Sequence, residues 1–173
     1  MNERYKDYLR LLGLGVLVFL LETAFLPLFP FAMGKPNLIL LFIASVGLFV
    51  GFLPAAISAI ILGILMDSLF SPALGLWTMN YLTVGWVFSV VKESDWEAEK
   101  IYLMLMMGLV TAVTYGMMGF FLFFFGYHYQ WGIEILPYAG MEAIVNMVIW
   151  IGVMWFFPRL IREAGKDYKS TLL

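Results

Sequence analysis

The stretch Gly51–Asn80, GFLPAAISAIILGILMDSLFSPALGLWTMN, decides how the whole chain is interpreted. It is a long apolar run that breaks at Ser71-Pro72, and it contains one acidic residue shortly before that break. Three small residues and this acid recur at every fourth position, on one stripe of an α-helix: Ala55, Ala59, Gly63 and Asp67. Small residues let another helix approach closely, and a carboxylate avoids hydrocarbon. The stretch therefore predicts a packed membrane helix with a polar point near one end.

The composition indicates that a lipid bilayer is the solvent of this chain. Hydrophobic residues make up 63% of the 173 residues and charged residues 13%, whereas soluble domains carry about 25% charged residues. The net charge is −2 and the basic residues form no long patch, so no nucleic-acid partner is expected. The absence of cysteine excludes disulfides and thiolate chemistry.

The apolar runs predict an all-α polytopic membrane protein with six transmembrane helices. Residues 38–70 form a run of 33 residues with a single charge. As one helix this run would be about 50 Å long, and the hydrocarbon core is about 30 Å thick. We therefore divide it around Gly51–Pro54. The predicted spans are Leu9–Phe29, the two halves of Leu38–Phe70, Ala73–Val91, Ile101–Phe125 and Tyr138–Phe157, in a single domain over residues 1–173.

The distribution of lysine and arginine favours six spans over five. With six spans and the amino terminus inside, nine of the ten basic residues lie in cytoplasmic segments and only Lys35 lies outside. With five spans the best division is seven to three. Because cytoplasmic segments carry the excess of Lys and Arg, both termini are predicted to be cytoplasmic.

This topology places every acid outside the cytoplasmic segments in the external half of the protein: Glu22, Asp67, Glu134 and Glu142. Glu22 lies deepest and is expected to be paired or protonated. Glu142 and Asn146 are four residues apart and share one helix face, as in a helix–helix contact. His128 is alone in an aromatic loop, where an interfacial role is expected.

Three roles remain open for Asp67. It can anchor a buried polar cluster that fixes helix packing, with Glu22, Asn80, Glu142 and Asn146 as its neighbours. It can instead be a helix-end residue bonded to backbone N–H groups, or it can bind an ion or a ligand. Its hydrogen-bond donors are expected to be Asn80 or the first amides of the following helix.

A second stripe of small residues is predicted on the fifth span. Its members also recur at every fourth position: Gly108, Ala112 and Gly116. We expect this stripe to pack against another helix.

Enzymatic chemistry has little support in this sequence. A zinc protease of the H-E-x-x-H type needs two histidines and the chain has one, and the serine motif G-x-S-x-G is absent. An intramembrane aspartyl protease needs two membrane Asp residues, and only Asp67 lies within a span. No phosphate-binding glycine loop is present. We expect no catalytic residue, no cofactor and no metal.

Several short motifs occur in an order that resembles a known family: Pro36-Asn37-Leu38 before an apolar run, Gly51-Phe52, Gly63-x-x-x-Asp67, the break at Ser71-Pro72, and Gly75-Leu76. In this order and at this length the chain resembles MreD, the rod-shape-determining membrane protein family of bacteria. It departs from the family pattern at Asn37, where many members carry an acid. It also departs at Ala55-Ala56, where glycines are common.

The resemblance implies a non-enzymatic scaffold of the cell-elongation machinery in the bacterial inner membrane. Its partner would be MreC, a single-span protein, with the MreB filament and the wall synthases in the wider assembly. The role would be to help control cell shape and lateral peptidoglycan synthesis.

The family fold is similar to the fold of the S-component of energy-coupling-factor transporters. The S-component has six helices and is the subunit that binds the vitamin. A substrate-binding S-component-like subunit is therefore the alternative function. The first span lacks the A-x-x-x-A motif by which such components dock. A neighbouring gene for MreC would favour the scaffold, and one for a transporter ATPase would favour the alternative.

Overall fold

The computed structural model describes residues 3–30, 34–93, 100–127 and 136–164. In these ranges the chain is all-helical, without a strand, and contains six α-helices: α1 Glu3–Leu20, α2 Leu38–Phe49, α3 Phe52–Phe70, α4 Leu76–Glu93, α5 Lys100–Phe124 and α6 Leu136–Ala164. A π-helical turn, Leu21–Phe25, and a 3₁₀ turn, Leu26–Leu28, extend α1.

Four segments of the described residues are long and apolar enough to cross a membrane: Leu9–Leu28, Phe52–Phe70, Lys100–Phe124 and Leu136–Leu160. The two remaining apolar helices are shorter, Leu38–Phe49 and Leu76–Val91. This is the architecture of a polytopic membrane protein. A helix of 12 residues such as α2 is about 18 Å long, shorter than a hydrocarbon core of about 30 Å.

The predicted division of the run 38–70 is confirmed, since α2 ends at Phe49 and α3 begins at Phe52. Gly51 between them has φ 129°, a conformation that is open to glycine and costly for other residues. Pro54 lies in the first turn of α3, where its missing N–H costs no helical hydrogen bond. The break therefore follows from local backbone chemistry.

Helix α2 is the centre of the fold. Its residues from Ile39 to Gly47 are all buried, and a helix that is apolar all round belongs in a core. It packs against α1, α3, α4 and α6, while α5 packs on α4 and α6. The largest buried side chains around it include Tyr81, Phe88 and Trp150. Many large apolar side chains on the other helices face outward, as expected of a surface in contact with lipid.

The small residues of α3 lie at its contact with α4. Ala55 and Ala59 are fully buried, and a Cβ added to Gly63 would lie 2.5 Å from the Cα of Thr78. On the opposite helix, a Cβ added to Gly85 would lie 3.1 Å from the Cβ of Ala55. The two backbones approach each other so closely that no larger side chain fits between them.

The stripe predicted on α5 is wrong in part. Gly108 is buried against Met147, but Ala112 and Gly116 are exposed. A step of four residues rotates by about 40° beyond a full helical turn, so two such steps leave the packed face by about 80°. Helix α3 keeps its stripe buried because it packs against both α2 and α4.

Candidate functional site

Asp67 caps the amino-terminal end of α4. Its side chain is 2% exposed. Oδ2 accepts hydrogen bonds from the backbone N–H groups of Gly75 at 2.9 Å and Thr78 at 3.2 Å, and from the Thr78 hydroxyl at 2.7 Å. Oδ1 accepts one from the N–H of Trp77 at 2.8 Å. The carboxylate therefore satisfies N–H groups that have no partner within the helix, at the end where the helix dipole favours negative charge.

This geometry assigns Asp67 to the junction between α3 and α4. The break at Ser71-Pro72 turns the chain back, and Gly75 with φ 99° completes the reversal. Four donors contact the Asp67 carboxyl group, three at Oδ2 and one at Oδ1. Of the three roles left open, those of helix-end capping and of packing agree with these contacts. The third role, the binding of an ion or a ligand, stays a prediction.

Glu22 caps the other short helix, α2, in a similar way. It lies on the π-helical turn after α1 and its side chain is 3% exposed. Its Oε2 accepts a hydrogen bond from the N–H of Leu38 at 2.7 Å, and its Oε1 lies 3.2 Å from the Nζ of Lys35. The Asn37 side chain adds an N-cap bond by accepting from the N–H of Leu40 at 2.9 Å. Glu22 is thus paired with a lysine, one of the two states expected for it.

Asn146 connects this cap to α5 and α6. Its Oδ1 accepts a hydrogen bond from the N–H of Asn37 at 3.0 Å, and its Nδ2 donates to the Thr111 hydroxyl at 3.3 Å. One turn earlier on α6, Glu142 accepts a hydrogen bond from the Tyr115 hydroxyl of α5. We call these residues the α2 cap cluster: Glu22, Lys35, Asn37, Thr111, Tyr115, Glu142 and Asn146.

The structure divides the five residues expected to form one polar cluster. Glu22, Glu142 and Asn146 lie in the α2 cap cluster, whereas Asp67 caps α4 separately. Asn80 does not donate to Asp67, because its Nδ2 donates to the Leu76 carbonyl of its own helix at 2.9 Å. Its Oδ1 is buried without a hydrogen-bond partner in the described part of the chain. The expected alternative donors, the first amides of the next helix, are confirmed.

Five contributors were not predicted as site residues: Lys35, Asn37, Thr78, Thr111 and Tyr115. Asn37 carried a usable signal, because an asparagine directly before an apolar helical run is a common N-cap. Tyr115 carried none, since its contact with Glu142 spans 27 positions of the chain. Glu134 and His128 lie outside the described residues.

A cavity of about 390 Å³ opens beside the α2 cap cluster. Its lining combines apolar side chains, two tyrosines, a lysine and a carboxylate: Leu26, Pro27, Phe29, Gly34, Lys35, Tyr115, Tyr138 and Glu142. A second, almost wholly apolar groove of about 470 Å³ lies between α1 and α3, along Gly15, Phe42 and Ile61. Within the described residues no three His, Cys, Asp or Glu side chains come together as metal ligands would.

Comparison with known proteins identifies a family for this chain. The family model described as rod shape-determining protein MreD matches residues 6–160. No curated protein and no solved structure matches the chain.

Proposed function

The chain belongs to the MreD family of rod shape-determining proteins, and we propose that it is a non-enzymatic membrane scaffold of the bacterial elongation machinery. Family membership supports a role in rod shape determination. The observation that carries the scaffold proposal is that the buried polar side chains form hydrogen bonds between helices. Asp67, Glu22 and Asn146 are engaged in joining helices to one another, which favours a rigid body over a catalytic centre.

We also propose that all six helices cross the inner membrane as one domain, with both termini in the cytoplasm. The bias of Lys and Arg supports this topology. The two carboxylate caps add support, because a short helix that begins inside a bilayer must have its first N–H groups satisfied by the protein. Asp67 and Glu22 do this for α4 and α2.

The partner that we propose is MreC, the single-span protein implied by the family, with MreB and the wall synthases in the wider assembly. A scaffold holds a partner best when its own helices keep one arrangement, and the two caps connect α1, α2, α5 and α6 on one side and α3 with α4 on the other. Loosening either cap should therefore weaken partner binding without removing any chemical step.

The experiment is complementation of a strain depleted of its own MreD, combined with co-purification of MreC. Wild type is compared with Asp67→Ala, and Ser68→Ala is the matched control because Ser68 is the exposed neighbour on the same helix. We expect Asp67→Ala to reduce both MreC recovery and rod shape at equal protein level, and Ser68→Ala to preserve both. Rod shape restored by a variant that no longer retains MreC would contradict the proposal.

The S-component-like solute-binding subunit remains the second candidate, and the cavity beside Glu142 is the observation that favours it. A fold similar to that of S-components is part of this second proposal. Loss of small-solute uptake on deletion, with MreC absent from the purified complex and a transporter ATPase present, would support this candidate over the scaffold.

A further inference from the structure

The α2 cap cluster contains one more carboxylate than it has cations. Glu22 and Glu142 are both buried, at 3% and 6% exposed. The Lys35 ammonium lies 3.2 Å from Glu22, whereas Glu142 accepts hydrogen bonds from two neutral groups, the Tyr115 hydroxyl and the Asn37 side chain. A buried carboxylate is stable when a cation or several donors surround it. Glu142 is thus the member of the cluster without a cationic partner of its own in the described part of the chain.

Glu142 and Lys35 line the same cavity, and both can act on a bound molecule. The Lys35 side chain is 47% exposed, and an ammonium has three donors, so its contact with Glu22 leaves donors for a second anion. The neighbouring residue, Gly34, packs closely against α6. Its φ is 70°, and a Cβ at this position would lie 2.7 Å from the backbone of Met141. The close approach of residue 34 to α6 places the lysine beside the start of that helix.

The other wall of the cavity is apolar and continues into the outer surface of the protein. Leu26, Pro27 and Phe29 line it, and the neighbouring Leu28 is 75% exposed. Tyr138, at the start of α6, is exposed and lines the cavity mouth. Tyrosine and lysine are typical of the membrane interface, where lipid headgroups lie. The cavity thus lies beside the apolar outer surface, and its lining also contains two charged side chains, Lys35 and Glu142.

We propose that this cavity binds the headgroup of an aminophospholipid, with the lipid ammonium on Glu142 and the phosphate on Lys35. A primary ammonium gives Glu142 the cation that the described residues do not supply, and the Tyr138 ring adds a cation–π surface. The acyl chains leave over Leu26 and Phe29. The volume of about 390 Å³ is within the range of small-ligand sites, about 300–1,000 Å³. This proposal is independent of the scaffold function, which requires no bound lipid.

The test is a binding titration by native mass spectrometry on the purified full chain in detergent, without MreC. The probes are phosphatidylethanolamine, phosphatidylglycerol with the same acyl chains, and free phosphoethanolamine. We expect phosphatidylethanolamine to bind about tenfold more tightly than phosphatidylglycerol, because a charged hydrogen bond contributes at least that factor. Free phosphoethanolamine should compete weakly, since it lacks the apolar contacts.

Two variants separate the two ends of the headgroup. Glu142→Gln keeps an acceptor for Tyr115 and should abolish the preference for phosphatidylethanolamine. Lys35→Gln should weaken both lipids about equally, since both carry a phosphate. Lys100→Gln is the matched control, because this exposed lysine begins α5, about 22 Å from Tyr115 along the helix, and it should change neither affinity.

Equal binding of the two lipids by the wild type would overturn the proposal, as would a preference that survives Glu142→Gln. The proposal would also be overturned if free phosphoethanolamine bound as tightly as phosphatidylethanolamine. The ligand of the cavity would then be a soluble zwitterion and not a lipid. If Glu142→Gln fails to purify, the lipid affinity of Lys35→Gln tests the proposal instead, because Lys35 is half-exposed and its replacement should not prevent folding. Unchanged lipid affinity in Lys35→Gln would then refute the assignment.

Discussion

Replacing Asp67 by alanine removes the acceptor for four donors at once. These are the N–H groups of Gly75, Trp77 and Thr78 and the Thr78 hydroxyl. The loss of an ordinary N-cap costs about 0.5–2 kcal/mol, and leaving a buried donor unsatisfied costs about 1–3 kcal/mol. Since this site is 2% exposed and several donors lose their partner together, we expect a destabilisation of about 3 kcal/mol.

The assay is thermal unfolding of the purified protein in detergent. For a chain of this size 1 kcal/mol corresponds to about 2–4 °C in Tm, so Asp67→Ala should melt about 6–12 °C below the wild type. Asp67→Asn should be milder. Its amide oxygen can take the place of Oδ2 and keep three of the donors, while its NH₂ group faces the N–H of Trp77.

Ser68→Ala controls for truncating a polar side chain in the same turn. Ser68 is exposed and its hydroxyl donates to the Ile64 carbonyl, so this variant should melt within about 1 °C of the wild type, as surface substitutions commonly do. The reasoning is refuted if Asp67→Ala melts with the control, or if Asp67→Asn is as unstable as Asp67→Ala. The first result would mean that the cap contributes no stability, and the second that charge alone matters.

Two further predictions concern packing and topology. Gly63→Ala should destabilise by about 1–3 kcal/mol, as overpacking typically does, because its Cβ meets the Thr78 backbone at 2.5 Å; the matched Gly116→Ala has open space and should be neutral or slightly stabilising. Equal melting of these two variants would contradict the close contact between α3 and α4. Reporter fusions after Ser94 and at Leu173 should both report the cytoplasm, and an external signal from either would contradict the six-span topology.

The helix breaks and the ends of helices were largely predictable from sequence. Glycine and proline act on their own backbone, so the division at Gly51–Pro54 and the break at Ser71-Pro72 follow from local rules. Asp67 lies one turn before such a break, which made the next helix's amides natural donors. The prediction for Asn80 failed because an amide side chain has a carbonyl within reach four residues earlier in its own helix.

Contacts between distant segments were not predictable in the same way. The sequence indicated that Glu142 and Asn146 share a face, but not that they meet Tyr115 and Asn37. The last of these contacts joins residues 109 positions apart. Helical periodicity defines which residues lie on one side of a helix, while the neighbour of that side depends on how each helix is rotated and displaced against the others.

By itself, the sequence determined the class of this protein. An apolar composition with few charges commits the chain to a bilayer, and residues that act within one or two turns place its helix ends. Only the tertiary structure decided which acid caps which helix, that Ala112 and Gly116 face outward, and that Glu142 and Lys35 share a cavity. The physical reason is that backbone conformation and hydrophobicity act locally, whereas pairing of buried polar groups requires several helices to be packed in one register.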